Sequence, residues 1–221
     1  MFRPSFTVLS LAAAVTAGAV ASGSMILGAS YAAFGGTTNN GPNTFSVGSV
    51  TMTNDSVGQA MFTTAGASGS QVSTVGLKPG QVVQNCIRVN YTGSLPATVH
   101  LYADAAPTDN HPSGTGLAGY LHVTVAESNP GAFGCAGFAG GTGGTGGTVT
   151  TIYDSTHPGV QSDLLSAFPT SYAAGTPSAL ASWTTGDWRA YRITLTVDSA
   201  IPDTSQGADC SVVFDWQAQN S

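Results

Sequence analysis

The sequence predicts an all-β protein folded as an antiparallel sandwich or barrel. Apolar and polar residues alternate along several short segments, which is the period of a strand with one buried face. Stretches rich in Gly and Pro separate these segments, as expected for turns. About eight or nine such strands, with a single short helix, are typical of a sandwich or barrel.

The first strands lie in the N-terminal half of the chain. Alternation begins at Phe45 and is interrupted at Gly48, and residues 59–64 form a short second strand. Residues 77–80 (LKPG) place Pro and Gly in the order that a turn favours. This turn leads into a long predicted strand at residues 81–91, on which Cys86 and Arg88 point away from the apolar face.

The later elements follow the same pattern. Further strands are predicted at residues 97–103, 121–126, 149–153, 188–197 and 210–216. Residues 117–120 indicate a helical turn, and residues 140–148 a low-complexity glycine loop. Residues 160–168 (VQSDLLSAF) are predicted as the one helix, since Pro158 precedes this segment and Pro169 ends it.

The N-terminus has the pattern of a secretory signal peptide. Arg3 is followed by an apolar stretch, and Ser30 and Ala32 place small residues at the positions that a signal peptidase reads. We therefore expect a signal peptide at residues 1–32, cleavage after Ala32, and an extracellular or cell-surface location. A retained membrane anchor is the alternative, but Gly and Ser dilute the apolar stretch and no basic cluster follows it. The secreted form is expected not to span a membrane.

Charged residues are unusually scarce. They make up 7% of the chain, compared with about 25% in typical soluble domains. The net charge of −6 comes from scattered Asp residues, with no basic patch and interleaved aromatics, so nucleic-acid binding is not expected. Few charges also mean little mutual repulsion, which favours close assembly with other copies.

Three cysteines follow the predicted signal peptide, so an oxidising compartment permits one disulfide and three possible pairings. We favour Cys86 with Cys135, because Cys86 lies off the main apolar face of its strand and Cys135 lies in a loop that can reach it. Cys210 shares a strand face with Phe214 and Trp216, which indicates a buried free thiol.

The order of several motifs resembles the TasA/camelysin family of secreted proteins, whose signal peptides are read by a SipW-type signal peptidase. The resemblance rests on SYAAF around the predicted cleavage site and a polar stretch before NTFSVGSV. It continues with LKPG, CIRVNYTGSL, RITLTV and VFDWQAQN. It spans nearly the whole chain, and it implies a jelly-roll sandwich at residues 51–221 and extracellular fibres of a biofilm matrix. The implied partners are other copies of the chain or related matrix subunits.

The resemblance also implies assembly by strand addition, in which the N-terminal segment of one subunit completes a sheet of the next. The donor would lie within residues 33–50, a flexible segment rich in Gly and polar residues. The residues expected to engage a neighbour are Ala33, Phe34, Phe45, Val47 and Val50. Gly35, Gly36 and Pro42 are poor strand formers, and a plain flexible terminus before an ordinary first strand is the alternative.

Catalytic and metal-binding signals are weak, and no cofactor is expected. Camelysin-like relatives suggest a metallopeptidase, but the HExxH pattern is missing and the four histidines are widely spaced. Loop calcium is a weak further possibility, with the candidate ligands Asp104, Asp109, Asp203 and Asp209. A monomeric adhesion or glycan-binding module is the main alternative function, with Trp183, Trp188 and Tyr191 as its candidate surface aromatics.

Overall fold

The computed structural model describes residues 47–110, 116–138 and 148–220. The chain divides into the units Met1–Val47 and Gly48–Ser221, and the fold given below is that of the second unit. Throughout the described ranges the regular structure consists of strands and short 3₁₀ turns. No helix in those ranges is both long and apolar enough to cross a bilayer. The predicted all-β, antiparallel sandwich is confirmed.

Twelve strands are present in the described residues: β1 (Met52–Asn54), β2 (Phe62–Thr63), β3 (Val72–Ser73), β4 (Val82–Tyr91), β5 (Ala97–Ala103), β6 (Thr108–Asn110), β7 (Leu121–Ser128), β8 (Val149–Tyr153), β9 (Thr176–Pro177), β10 (Trp188–Val197), β11 (Asp209–Ser211) and β12 (Phe214–Asn220). The 3₁₀ turns lie at Leu117–Tyr120, Phe133–Cys135, Leu165–Ala167, Tyr172–Ala174 and Asp203–Ser205.

Two antiparallel sheets of unequal size form the sandwich. The larger one, which we call sheet 1, has the strand order β1-β4-β10-β7-β8, and the smaller one, sheet 2, has the order β12-β5-β9. Strands β6 and β11 form a separate antiparallel ribbon, and the two-residue strands β2 and β3 form a short parallel one. Residues 77–80 form the predicted turn, in which Gly80 takes a φ of 75° and Gln81 donates its amide to Lys78.

The core lies between the inner faces of the two sheets. Alternate residues of β4, β7 and β10 point inward and meet alternate residues of β5 and β12 in one apolar cluster. Trp183, the largest fully buried side chain, closes one end of this cluster. Its backbone exchanges two hydrogen bonds with Ala97 on β5, at 2.8 and 3.0 Å. The outer faces of sheets 1 and 2 therefore look in opposite directions.

A buried carboxylate joins the two sheets at that end. Glu127, on β7 of sheet 1, accepts hydrogen bonds from the hydroxyl of Ser178 and the amide of Ala179, both at 2.9 Å. Ser178 in turn donates its amide to Val99 of sheet 2. Arg189 pairs with Glu127 at 3.2 Å. Burial nevertheless raises the pKa of Glu127 above its ordinary value, because these partners offset only part of the desolvation.

The predicted helix at residues 160–168 is wrong. Only Leu165–Ala167 forms a 3₁₀ turn, and the residues before it are extended alongside β7. The carbonyl of Asp163 accepts the Val123 amide at 2.7 Å, and its carboxylate accepts a bond from His122. Burial of Leu165 and Phe168 in the core favours this path, so tertiary contacts override the local helical pattern.

The predicted strand at residues 210–216 is instead two strands, β11 and β12, in different sheets. The facing chain explains the break. Pro107 interrupts the path from β5 to β6, where four residues separate the paired positions Ala103 and Thr108. The residues paired with those positions are Phe214 and Ser211, and only Val212 and Val213 lie between them. The two facing segments therefore cannot keep one continuous register. The strand expected to start at Phe45 is described only from residue 47, and its regular part begins at Met52.

The predicted disulfide between Cys86 and Cys135 is present, and Cys210 is free. Cys86 lies on the outer face of β4, and Cys135 ends the 3₁₀ turn that crosses this face. Together with Phe138, Ala126 and Ala190, the disulfide forms a second, smaller apolar cluster on the outside of sheet 1. The bond closes a loop of 49 residues between distant parts of the chain.

Removing the disulfide is expected to destabilise the fold. Cys86→Ala/Cys135→Ala should lower the free energy of unfolding by roughly 2–4 kcal/mol, because the unfolded chain regains the entropy of an open loop. Urea denaturation followed by tryptophan fluorescence measures this loss. Cys210→Ala is the control and should cost less than about 1 kcal/mol. An equal loss in both variants, or a peptide map that links Cys210, would contradict the assignment.

Candidate strand-acceptor groove

An apolar groove opens between the two sheets on the side where sheet 2 ends at β12. Its volume is about 600 Å³, within the range of pockets that bind ligands. One wall is the segment from Ser56 to Thr64, which includes β2, and the opposite wall is the segment from Ala208 to Trp216. The main apolar side chains of the lining are Met61, Phe62, Leu77, Ile87, Leu117, Leu121, Leu165, Leu195, Val212, Phe214 and Trp216.

The groove is bordered by a strand with an open edge. Strand β12 is the outermost strand of sheet 2 and pairs only with β5, over seven residues from Phe214 to Asn220. On its other edge the backbone has no hydrogen bond to any residue of the described ranges. Strand β2, across the groove, is paired on one side only, with β3. An exposed strand edge offers N–H and C=O groups for pairing with a further strand.

Trp216 contributes an unpaired donor to this site. Its indole packs on Tyr191 of sheet 1 with ring centroids 5.4 Å apart, and it lines the groove. The indole Nε1 is buried and has no hydrogen-bond partner in the part of the chain that the structure describes. Buried N–H groups without an acceptor are rare and costly. A carbonyl of an inserted segment would supply that acceptor.

The electrostatics of the groove suit an apolar occupant. Asp209 is the one charged residue in its lining, at the rim. Burial, with smaller contributions from Asp109 and Asp209, raises the pKa of the Cys210 thiol to about 12, so this thiol stays protonated at neutral pH. Cys210 therefore behaves as a small apolar side chain in the wall of the groove, and it supplies no thiolate there.

The predicted assembly residues are placed only in part. Ala33, Phe34 and Phe45 lie outside the described residues. Val47 is 94% exposed and Val50 is 38% exposed, and neither is in a strand.

The segment that leads into β1 is fixed just after Val47. The carbonyl of Ser49 accepts the amides of Ser94 and Leu95 at 2.8 and 3.3 Å, and the Ser49 amide donates to the hydroxyl of Ser94 at 2.9 Å. Any donor segment would therefore precede Ser49.

The aromatic residues proposed for glycan binding do not form an exposed platform. Trp183 and Tyr191 are fully buried in the core, at 0% and 1% exposure. Trp188 lies on the outer face of sheet 1, where the guanidinium of Arg88 covers its ring at 5.4 Å. The alternative of a glycan-binding module therefore loses the residues on which it depended.

The candidate metal ligands do not converge. Within the described ranges, no group of three or more His, Cys, Asp or Glu side chains is arranged to hold a metal ion. Of the proposed calcium ligands, Asp109 accepts the Ala118 amide at 2.9 Å. His111 lies outside the described residues, and His100 stacks on Tyr172 with centroids 4.2 Å apart.

His122 is the one histidine here that lies between two carboxylates. Its Nδ1 is 2.9 Å from Asp163, and its Nε2 is 3.6 Å from Asp198. The hydrogen bond to Asp163 is the largest cause that raises the pKa of His122, and Asp198 acts in the same direction. The histidine links β7 to two loops of sheet 1, and its role is structural.

A scan against models of protein families finds no match to this chain. A search of curated proteins also finds no significant match. Membership of the TasA/camelysin family remains a prediction from the motifs.

Several groove residues, among them Phe62, Leu121 and Trp216, lie on strands that the sequence predicts, but no groove beside these strands was predicted. The alternation at residues 59–64 and 210–216 was the available signal. The groove follows from the pairing of β12 with β5 alone among the described residues, which leaves Phe62, Phe214 and Trp216 half-buried. Strand pairing is non-local, so no local pattern in the sequence shows which strand will be left without a neighbour.

Replacing His122 should change how stability depends on pH. A raised pKa in the folded state stabilises the protein below the ordinary pKa of about 6.5, and this stabilisation is lost as the pH rises through the folded value. His122→Gln is expected to flatten the fall in melting temperature above pH 6.5, measured by calorimetry. His157→Gln is the control and should show the same fall in melting temperature as the unaltered chain. If His122→Gln showed that same fall, the ion-pair assignment would be contradicted.

Proposed function

We propose that this chain is a secreted structural protein that assembles into, or decorates, an extracellular fibre or matrix by donating a strand to a neighbouring copy. The acceptor in this proposal is the groove beside β12. The donor is the segment before Ser49, from within residues 33–50. A protein with this function performs no catalysis.

The open edge of β12 above an apolar groove is the observation that best supports the proposal. A strand inserted there would pair with the backbone of β12 through main-chain hydrogen bonds and place alternate side chains in the groove. Burial of apolar surface contributes about 25 cal/mol per Å². Long, apolar, uncovered edges are avoided in proteins that remain monomeric.

The composition supports the same function. With charged residues at 7% of the chain, copies approach one another with little electrostatic cost. The N-terminal segment supplies Phe34, Phe45 and Val47 as apolar side chains within a polar, glycine-rich sequence. Export through a signal peptide and processing by a signal peptidase, as the TasA/camelysin resemblance implies, would place the subunit outside the cell.

Electron microscopy of the secreted chain tests the proposal. The chain from Ala33 is expected to form fibres, and a truncation that begins at Val47 is expected to form none, because it lacks most of the donor but keeps the contacts of Ser49. Monomers from both forms, at high concentration and across a range of pH, would contradict strand donation.

A matched pair of substitutions tests the acceptor. Val213, on the groove rim, is 62% exposed, whereas Val75, outside the lining, is 65% exposed. Val213→Lys places a charge on the groove rim, at the residue before β12, and is expected to prevent fibre growth, since charges at a strand edge oppose pairing. Val75→Lys should assemble as the unaltered chain does. Normal fibres from Val213→Lys, or loss in both variants, would show that the groove is not the acceptor.

A further inference from the structure

The outer face of sheet 1 concentrates positive charge around the disulfide. Lys78, Arg88, Arg189 and Arg192 are the only Lys and Arg residues after Arg3. Arg189 points inward and pairs with Glu127. Arg88 and Arg192 both lie on the outer face, in adjacent rows of the sheet, opposite Ala190 and Cys86 respectively. Two of the remaining three cations therefore share one small patch.

These two arginines have no counter-ion within the described ranges. The guanidinium of Arg88 lies over Trp188, and that of Arg192 lies 4.9 Å from the ring centroid of Phe138. Asp55, the carboxylate bonded to the backbone of Arg88, accepts the amides of Arg88 and Phe133 and forms no ion pair with the guanidinium. A partly buried charge without a partner is unfavourable.

Orphaned polar atoms mark the same patch. The Nε atoms of Arg88 and Arg192 and the hydroxyl of Ser128 are buried and have no hydrogen-bond partner among the residues that the structure describes. Ala190 lies between Arg88 and Ser128 in one row of the sheet and is paired with both of them. Stacking on aromatic rings holds both guanidinium groups in place, so little entropy would be lost when they bind a carboxylate.

The outer face of sheet 2 has the complementary feature. Asp215 on β12 lies opposite Tyr102 on β5, and Asp104 follows the end of β5. No ion pair joins either carboxylate to a cation of the described chain. The amide of Asp104 donates to the carbonyl of Val213 at 3.0 Å, which places Asp104 beside the start of β12 and near Asp215. Burial raises the pKa of Asp215, and repulsion from the charge of Asp104 adds to the effect. A cationic partner would relieve this repulsion.

We propose that Arg88 and Arg192 of one copy bind Asp104 and Asp215 of a second copy, so that the outer face of sheet 1 docks on the outer face of sheet 2. The two patches differ, and they lie on opposite sides of the sandwich. A contact of this kind is heterologous, so it joins one copy to the next in a ring or an open chain, according to the rotation between copies. It is independent of strand donation into the groove, and it would join subunits or fibres side by side.

Salt dependence and neutral substitutions test the contact. Sedimentation velocity of the secreted chain should show larger species at about 0.01 M than at about 1 M ionic strength, where charges are screened within about 3 Å. Arg88→Gln/Arg192→Gln and Asp104→Asn/Asp215→Asn should each abolish this difference. Lys78→Gln and Asp203→Asn/Asp209→Asn are the controls for lost charge, and both should retain the difference between low and high salt. Equal loss in the controls would overturn the proposal.

Charge reversal gives the sharper test. In the truncation that begins at Val47, which lacks most of the donor, Arg88→Glu/Arg192→Glu and Asp104→Arg/Asp215→Arg should each sediment as monomers, because each carries two patches of like sign. An equimolar mixture of the two variants should associate again, since every patch then meets its opposite. A mixture that stays monomeric would overturn the proposal. So would an arginine patch that binds an acidic polysaccharide while the chain shows no salt-dependent self-association.

The truncation that begins at Val47 separates this contact from strand donation, because it lacks most of the donor and keeps both charged patches. Salt-sensitive association that persists in this truncation supports the arginine–aspartate contact, whether or not the unaltered chain forms fibres. Loss of salt-sensitive association in the unaltered chain, with fibres still forming, would overturn the contact and leave strand donation intact.

Discussion

The unequal size of the two sheets is the constraint on which the rest of the structure depends. A sheet of five strands cannot be covered by a sheet of three, so part of the inner face of sheet 1 must be covered by loops or left open. At the end near Trp183, the sandwich is closed by the segment that contains Ser178 and Ala179. Hydrogen bonds to Glu127 hold this segment against sheet 1. At the β12 side the cover is incomplete, and the apolar groove is the result. The site is thus the part of the core that the residues described by the structure do not fill with a strand.

Charged residues are few, and each of those discussed above occupies a defined position in the fold. Glu127 and Arg189 satisfy each other inside the sandwich, at the junction of the sheets. His122 lies between two aspartates at the edge of sheet 1. Arg88 and Arg192 have no such partner among the described residues and lie on an outer face. In a chain with so few charges, an unneutralised pair on one face and a pair of opposite sign on the other are well suited to specify how copies meet.

Much of the fold could be predicted from local patterns. The strands at β4, β5, β7, β8 and β10 follow the alternation of their residues, and the pairing of Cys86 with Cys135 followed from the face on which Cys86 lies. The helix expected at residues 160–168 failed because pairing with β7 and burial of Leu165 outweigh helical propensity. The break between β11 and β12 depends on Pro107 in the facing chain. Both errors, and the groove itself, arise from contacts between residues far apart in sequence.

Hydrogen exchange in the assembled and dispersed states tests the central claim most directly. In the dispersed chain, the amides of β12 that point away from β5 should exchange freely, while those of β10 are protected by β4 and β7 on its two sides. Assembly should protect the open-edge amides of Phe214–Asn220 and leave the protection of β10 unchanged. Fibres in which those β12 amides still exchange freely would contradict an account in which a strand from a second copy fills the groove.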